Sequence, residues 1–142
     1  MKIRKIIIED YDEIIGLWLR AGLEYKPAGR DSKEAMRKQI EKQGFLMLAA
    51  EENDRIVGVA VGSHDNRKGW INRVAVDPVQ RRKGIATDLV KALEKEFATL
   101  GLPVYCSLIF DTNPESIALF ESLGYKCLDN VKYYSKRTRD DM

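Results

Sequence analysis

Histidine occurs once in this chain, at position 64, and cysteine twice, at positions 106 and 127. A lone histidine without any Cys-x-x-Cys pair gives no metal-ligand set, and two cysteines far apart give no disulfide framework. Cys106 and Cys127 lie in strand-like segments and are expected to be small buried hydrophobes in a reducing cytoplasm. No apolar run approaches the roughly 20 residues that span a bilayer. The first ten residues, Met-Lys-Ile-Arg-Lys-Ile-Ile-Ile-Glu-Asp, contain only a three-residue apolar run before acids return, which is not a signal peptide. One-sided charge is missing too: 24 Lys and Arg against 22 Asp and Glu leave +2, too balanced to argue for nucleic acid. There is no repeat, low-complexity tract or linker. What remains is the composition of a soluble globular protein, 44% apolar and 32% charged. Its 142 residues are expected to form one domain (1–142) with a full core, residues 136–142 being a frayed tail.

The pattern along the chain predicts an α+β protein in the order β-α-α-β-β-β-α-β-α-β-β, a mixed sheet covered by helices. Residues 3–8 read as a strand. Asp10 with Glu13 resembles a capping pair for a helix carrying Ile14, Leu17 and Trp18 and stopping near Gly22. A Pro/Gly loop at 25–31 leads to a second helix capped by Asp31 with Glu34, ended by Gly44. Residues 45–51 and 55–62 form a hairpin about Asn53-Asp54, where Gly58 and Gly62 mark a bulge or a close backbone approach. His64 falls in a polar turn, and residues 70–76 form the central strand. After a long helix come a strand at 104–110 and a helix capped by Asn113 with Pro114 at its first position. Short strands at 125–128 and 131–135 complete the set.

The stretch from Val74 to Val90 carries the chemistry. β-Branched Val74 and Val76 end at Asp77-Pro78, a turn, and are followed by Arg81, Arg82, Lys83, Gly84 and Ala86. Ile85, Leu89, Leu93 and Phe97 then recur at helical spacing. A helix start has unpartnered amides and partial positive charge, and Gly84 and Ala86 keep side chains small where a ligand approaches. With three cations beside it, this is an anion site suited to a diphosphate. It is neither a Walker A loop nor a dinucleotide fingerprint, because the other glycines of those motifs are missing.

Arg81-x-x-Gly84-x-Ala86 after Val-Ala-Val-Asp-Pro resembles the acyl-coenzyme A motif of the GNAT N-acetyltransferase superfamily. Asn113-Pro-Glu-Ser-Ile-Ala-Leu-Phe-Glu-Ser-Leu-Gly-Tyr125 resembles its second signature. The resemblance covers nearly the whole chain, and a Gly-rich hairpin before the central strand is most reminiscent of small YpeA-like acetyltransferases. It implies a mostly antiparallel central sheet flanked by helices, whose central strand splays from the next. In it, backbone at Val74, Ala75 and Val76 pairs with pantetheine. The pyrophosphate rests on the amides of Arg82, Lys83, Gly84, Ile85, Ala86 and Thr87, with Arg81, Arg82 and Lys83 supplying charge, and Asn113 touches the pantetheine arm. The reaction implied is transfer of acetyl from acetyl-coenzyme A, as cosubstrate and without a metal, to an amine of a small molecule or peptide. The setting is cytoplasmic, with no nucleic-acid or membrane partner and room for a homodimer. On the acceptor side, Asn72 and Arg73 precede the coenzyme-pairing strand. Arg30, with Trp18 and Tyr25, belongs to the helix–loop–helix that covers the acceptor in relatives.

The catalytic residues do not transfer. Phe120 stands where many relatives have a tyrosine acid. Leu108 and Trp70 stand where two other branches have a glutamate base. Tyr125, Tyr133 and Tyr134 are candidate donors. These departures keep open a second reading, a noncatalytic acyl-coenzyme A sensor. A third, nucleic-acid binding through Arg81, Arg82 and Lys83, lacks a stacking platform or recognition helix.

Overall fold

Asn53 and Asp54 both hold positive φ, 53° and 62°. That suits a two-residue turn whose twist matches the strands it joins, and β2 (Phe45–Glu52) runs straight into β3 (Arg55–His64). In the computed structural model, which describes residues 1–139, this hairpin lies at the heart of a five-stranded sheet. β1 (Lys2–Lys5) pairs with β2, and β3 pairs with β4 (Gly69–Val76), all antiparallel. β5 (Tyr105–Ser107) joins β4 in parallel. α1 (Tyr11–Arg20) and α2 (Lys33–Glu41) cover one face; α3 (Ile85–Thr99) and α4 (Pro114–Ser122) cover the other. This is an α+β fold with a mostly antiparallel sheet, as expected. No helix among the described residues is long and apolar enough to cross a membrane.

Three glycines let α3 lie directly on the sheet. A Cβ at Gly58 would meet Ile85 and Leu89 at 2.9 Å, one at Gly62 would meet Leu93 at 3.1 Å, and one at Gly69 would meet Phe97 at 2.5 Å. Leu89, Leu93 and Phe97 are fully buried there, so these positions have no room for a side chain.

A second irregularity decides the site. Val61 pairs with Arg73 but Gly62 pairs with Ile71, so Asn72 is an extra residue on β4. Alternation would put residues 71, 73 and 75 on one face. With the bulge, Ile71 packs toward α3, whereas Ala75 belongs to the cluster of α1 and α2. Arg73 accordingly lies over Trp18 of α1.

Several expectations are corrected. β1 is shorter than residues 3–8, because a single 3₁₀ turn at Ile8–Asp10 intervenes. Asp10 does not cap α1: its carboxylate accepts from Ile7 N (3.0 Å) and from Arg4 (2.8 and 3.1 Å). The Arg4 guanidinium lowers the carboxyl pKa of Asp10 from its ordinary value. Glu13 instead accepts from Ile56 N at 2.6 Å. The cap of α2 is Ser32, accepting from Ala35 N, while Asp31 is buried and closes the preceding loop by accepting from Lys26 N at 2.7 Å.

The strand expected over 104–110 is cut to three residues, and those at 125–128 and 131–135 do not form. Leu128, Val131, Tyr133 and Tyr134 are exposed. β-Propensity needs a neighbouring strand to pair with, and β5 offers three residues. The described order therefore ends β5-α4, without the last two strands. Cys127, expected to be buried, goes with that segment: it is exposed and donates to Asp129 at 3.3 Å. Of the tail, residues 136–139 form no helix or strand, and residues 140–142 lie outside the described residues.

Candidate active site

Pairing of β4 with β5 stops at Ile71 and Ser107. From residue 72 onward, no strand among the described residues covers the β4 edge that β5 would have covered, and two cavities open along it. Adjacent residues divide them: Val74 lines one and Arg73 the other.

The first cavity, about 620 Å³, is built mainly from backbone. Asp77 accepts from Val79 N and opens a 3₁₀ turn at Pro78–Gln80. The chain then takes positive φ at Arg82 (69°) and at Gly84 (78°), and Gly84 becomes the N-cap of α3. Left-handed residues alternating with others are the kind of backbone that can gather amides into an anion-binding concavity. For Arg82, a residue with a side chain, that conformation is strained and persists only where the surroundings impose it. A Cβ on Gly84 would have nothing within 4 Å, so the space above this amide is open. Val74, Ala75, Val76, Arg81, Arg82, Gly84, Ile85, Ala86, Thr87 and Asn113 all line this cavity. Lys83 does not, its ammonium donating to Gln80 at 2.8 Å. Asn113 does cap its own helix, accepting from Ser116 N at 3.2 Å, which leaves chiefly its amide N–H donors for a ligand.

The second cavity, about 700 Å³, is built from side chains of distant segments. Asn72 is anchored by donating to Ser63 at 2.9 Å. Arg73 stacks on Trp18 with its guanidinium carbon 4.4 Å from the ring centroid. It lies 3.7 Å from the Asp31 carboxylate, beyond hydrogen-bond reach, and donates weakly to the Glu24 carbonyl at 3.4 Å. Burial lowers the pKa of this guanidinium, with Asp31 opposing. Arg30 lines the same cavity, 4.0 Å from Asp31. Trp18 is core and cavity wall at once, 2% exposed. Tyr25 packs against α1 and α2 and lines neither cavity.

Tyr133, a candidate donor from the sequence, lines the second cavity, as do Asp111 and Gln39, which the sequence pattern does not single out. Asp111 follows Phe110 in a polar turn, and nothing local distinguishes it from a solvated turn aspartate.

The remaining candidates lie elsewhere. Phe120 is 5% exposed and meets Tyr125 edge-on at 4.9 Å between ring centroids. Tyr125 donates to Glu94 on α3 at 2.7 Å; burial first, and that carboxylate second, push its phenol well above the usual range. Neither ring lines a cavity, nor does exposed Tyr134. His64 accepts from Asn66 N at 3.1 Å and lies outside both. Leu108 lines the second cavity but has no titratable group.

The sheet thus parts after a bulge, and a helix starts from a left-handed turn beside the parting. The profile of the acetyltransferase (GNAT) family matches residues 6–125, and the chain belongs to that family. Acetyltransferase SG1711 of Sodalis glossinidius (strain morsitans) is 30% identical over 141 residues, covering 99% of this chain and 98% of its own. The fold is similar to that of the PaiA N-acetyltransferase of Thermoplasma acidophilum in complex with coenzyme A, at a TM-score of 0.81 and 21% identity over 92% of each chain. It is similar also to the aminoglycoside 6'-N-acetyltransferase AAC(6')-Ig of Acinetobacter haemolyticus, at a TM-score of 0.80 and 20% identity, covering 98% and 100%.

Proposed function

We propose that the protein transfers acetyl from acetyl-coenzyme A to a primary amine of a small molecule or peptide. The observation that carries this reading is the division of two cavities at one peptide of β4, between Arg73 and Val74. Neighbouring strand residues are about 3.3 Å apart, so a donor along residues 74–76 and an acceptor over Arg73 would meet within contact distance. The coenzyme-side residues fit the group: the left-handed turn at 82–84 suits a pyrophosphate, and the β4 edge without a strand suits the pantetheine amides.

Bound acetyl-coenzyme A would supply an acetyl thioester whose C–S bond breaks as the amine nitrogen forms its bond to the carbonyl carbon, leaving a thiolate to be protonated. The amine must first lose a proton. Two carboxylates line the acceptor cavity among the described residues. Asp31 is engaged by Lys26 N and shared by two arginines. Asp111 is therefore the proposed base, taking the proton directly or through a water. Tyr133 lines the same cavity and is the phenol proposed to protonate the leaving thiolate. The structural relatives that act on aminoglycoside amines support an amine acceptor.

A purified sample should release thiol from acetyl-coenzyme A when offered a panel of amines and peptides. Coenzyme binding with no thiol release from any amine would favour the noncatalytic sensor.

A further inference from the structure

The acceptor cavity holds an incompletely satisfied cation. Arg73 is desolvated against Trp18, its one hydrogen bond among the described residues is the long one to Glu24, and its Nη1 has no hydrogen-bond partner among them. The Nε1 of Trp18, a side chain almost wholly buried, is likewise unpartnered. A buried donor without an acceptor is costly, and a buried guanidinium more so. Asp31 does not complete the pair at 3.7 Å, because it is also 4.0 Å from Arg30 and tied to the loop. Arg30, Asp31 and Asp111 line the same cavity.

We propose that the acceptor is an amine carrying a carboxylate in the same molecule, the carboxylate docking on Arg73 beside Trp18; this rests on the acetyl-transfer reading above. A carboxylate would give Arg73 the acceptor that it lacks, whereas a phosphate dianion would face the two aspartates as well. A planar carboxylate also suits the edge of a guanidinium. Phe45, Met47, Ile109 and Phe110 give the same cavity an apolar wall, so the body of the acceptor is apolar. A polyamine is disfavoured by the arginines.

The experiment has two arms. In the binding arm, protein saturated with coenzyme A is titrated calorimetrically with N-acetyl-leucine and N-acetyl-phenylalanine, each against its carboxamide. The carboxylates should bind at least tenfold more tightly. Arg73→Gln should erase the difference while coenzyme affinity stays intact, and Arg30→Gln, at a more exposed position, should reduce it. In the turnover arm, thiol release is measured with free leucine and phenylalanine, leucinamide, dipeptides with free and amidated ends, phosphoethanolamine and spermidine. Higher kcat/KM for free amino acids marks a small acceptor, and preference for free-ended dipeptides marks a peptide. Equal binding of carboxylate and carboxamide by the wild type overturns the inference without any variant. Preference for phosphoethanolamine or spermidine overturns it too. Thiol release from none of these amines, with the carboxylate preference intact, instead overturns acetyl transfer and supports the docking site.

Discussion

The two cavities flank one peptide bond of β4 yet are made in opposite ways. The coenzyme-side cavity comes mostly from residues 74–87, one continuous stretch, and its key features are backbone: a strand edge, positive φ at Arg82 and Gly84, and a helix start. The acceptor-side cavity draws Trp18 from α1, Arg30 and Asp31 from the loop before α2, Arg73 from the bulged strand and Asp111 from the turn after β5. Its chemistry resides in side chains that tertiary structure brings together. A backbone site tolerates most side-chain changes except those that fill it. A side-chain site fails at single residues.

That contrast orders the expected effects. The largest falls on the acceptor side. Asp111→Asn should lower kcat/KM about a hundredfold or more, the range of a lost general base, with coenzyme affinity unchanged by calorimetry. A loss below threefold would mean that Asp111 is not the base.

On the coenzyme side, Gly84→Glu should weaken coenzyme A binding at least tenfold, about 1.4 kcal/mol. Because Gly84 has φ 78°, any side chain also costs about 1 kcal/mol in the free protein, so the apo melting temperature should fall by a few degrees. Gly84→Ala separates the two effects. It carries the strain but little obstruction, and should melt lower while holding affinity within about threefold. Equal loss of affinity in both variants would show that turn geometry alone decides binding.

Smaller effects belong to residues in neither cavity. Phe120→Tyr should change turnover by less than about threefold, and should cost roughly 1–3 kcal/mol of stability for a hydroxyl placed in the core. A hundredfold gain would show that the native protein lacks an effective acid. Tyr125→Phe should leave turnover within about twofold and cost about 1 kcal/mol for the lost bond to Glu94. The folded-state pKa of Tyr125 lies above its unfolded value near 10, so this stability is complete at neutral pH and declines as pH rises beyond about 10. Denaturant melts at pH 7 and pH 11 would register the difference.

The same contrast explains what could be read from the sequence. The turn at 81–87 has a local signature, because left-handed backbone and close approach select glycine and small residues. Asn53-Asp54, which tolerate left-handed backbone, and Asn113, whose side chain caps its own helix, carry local signatures too. The caps at Asp10 and Asp31 misled because each carboxylate turns back to a partner earlier in the chain: Arg4 in one case, Lys26 N in the other. The bulge at Asn72 left no mark in the alternation of β4, yet it turns Arg73 toward Trp18. Strand propensity at 125–135 was real, but propensity cannot supply a neighbour. Arg73 and Asn72 could be suspected from their place beside the coenzyme motif, whereas Asp111 could not.

The most direct test of a backbone-built coenzyme site is an amide NMR titration with coenzyme A. The account predicts shifts concentrated at residues 74–76 and 82–87, with smaller changes over Asn72 and Arg73. Shifts confined to other residues, or none at millimolar coenzyme, would contradict it.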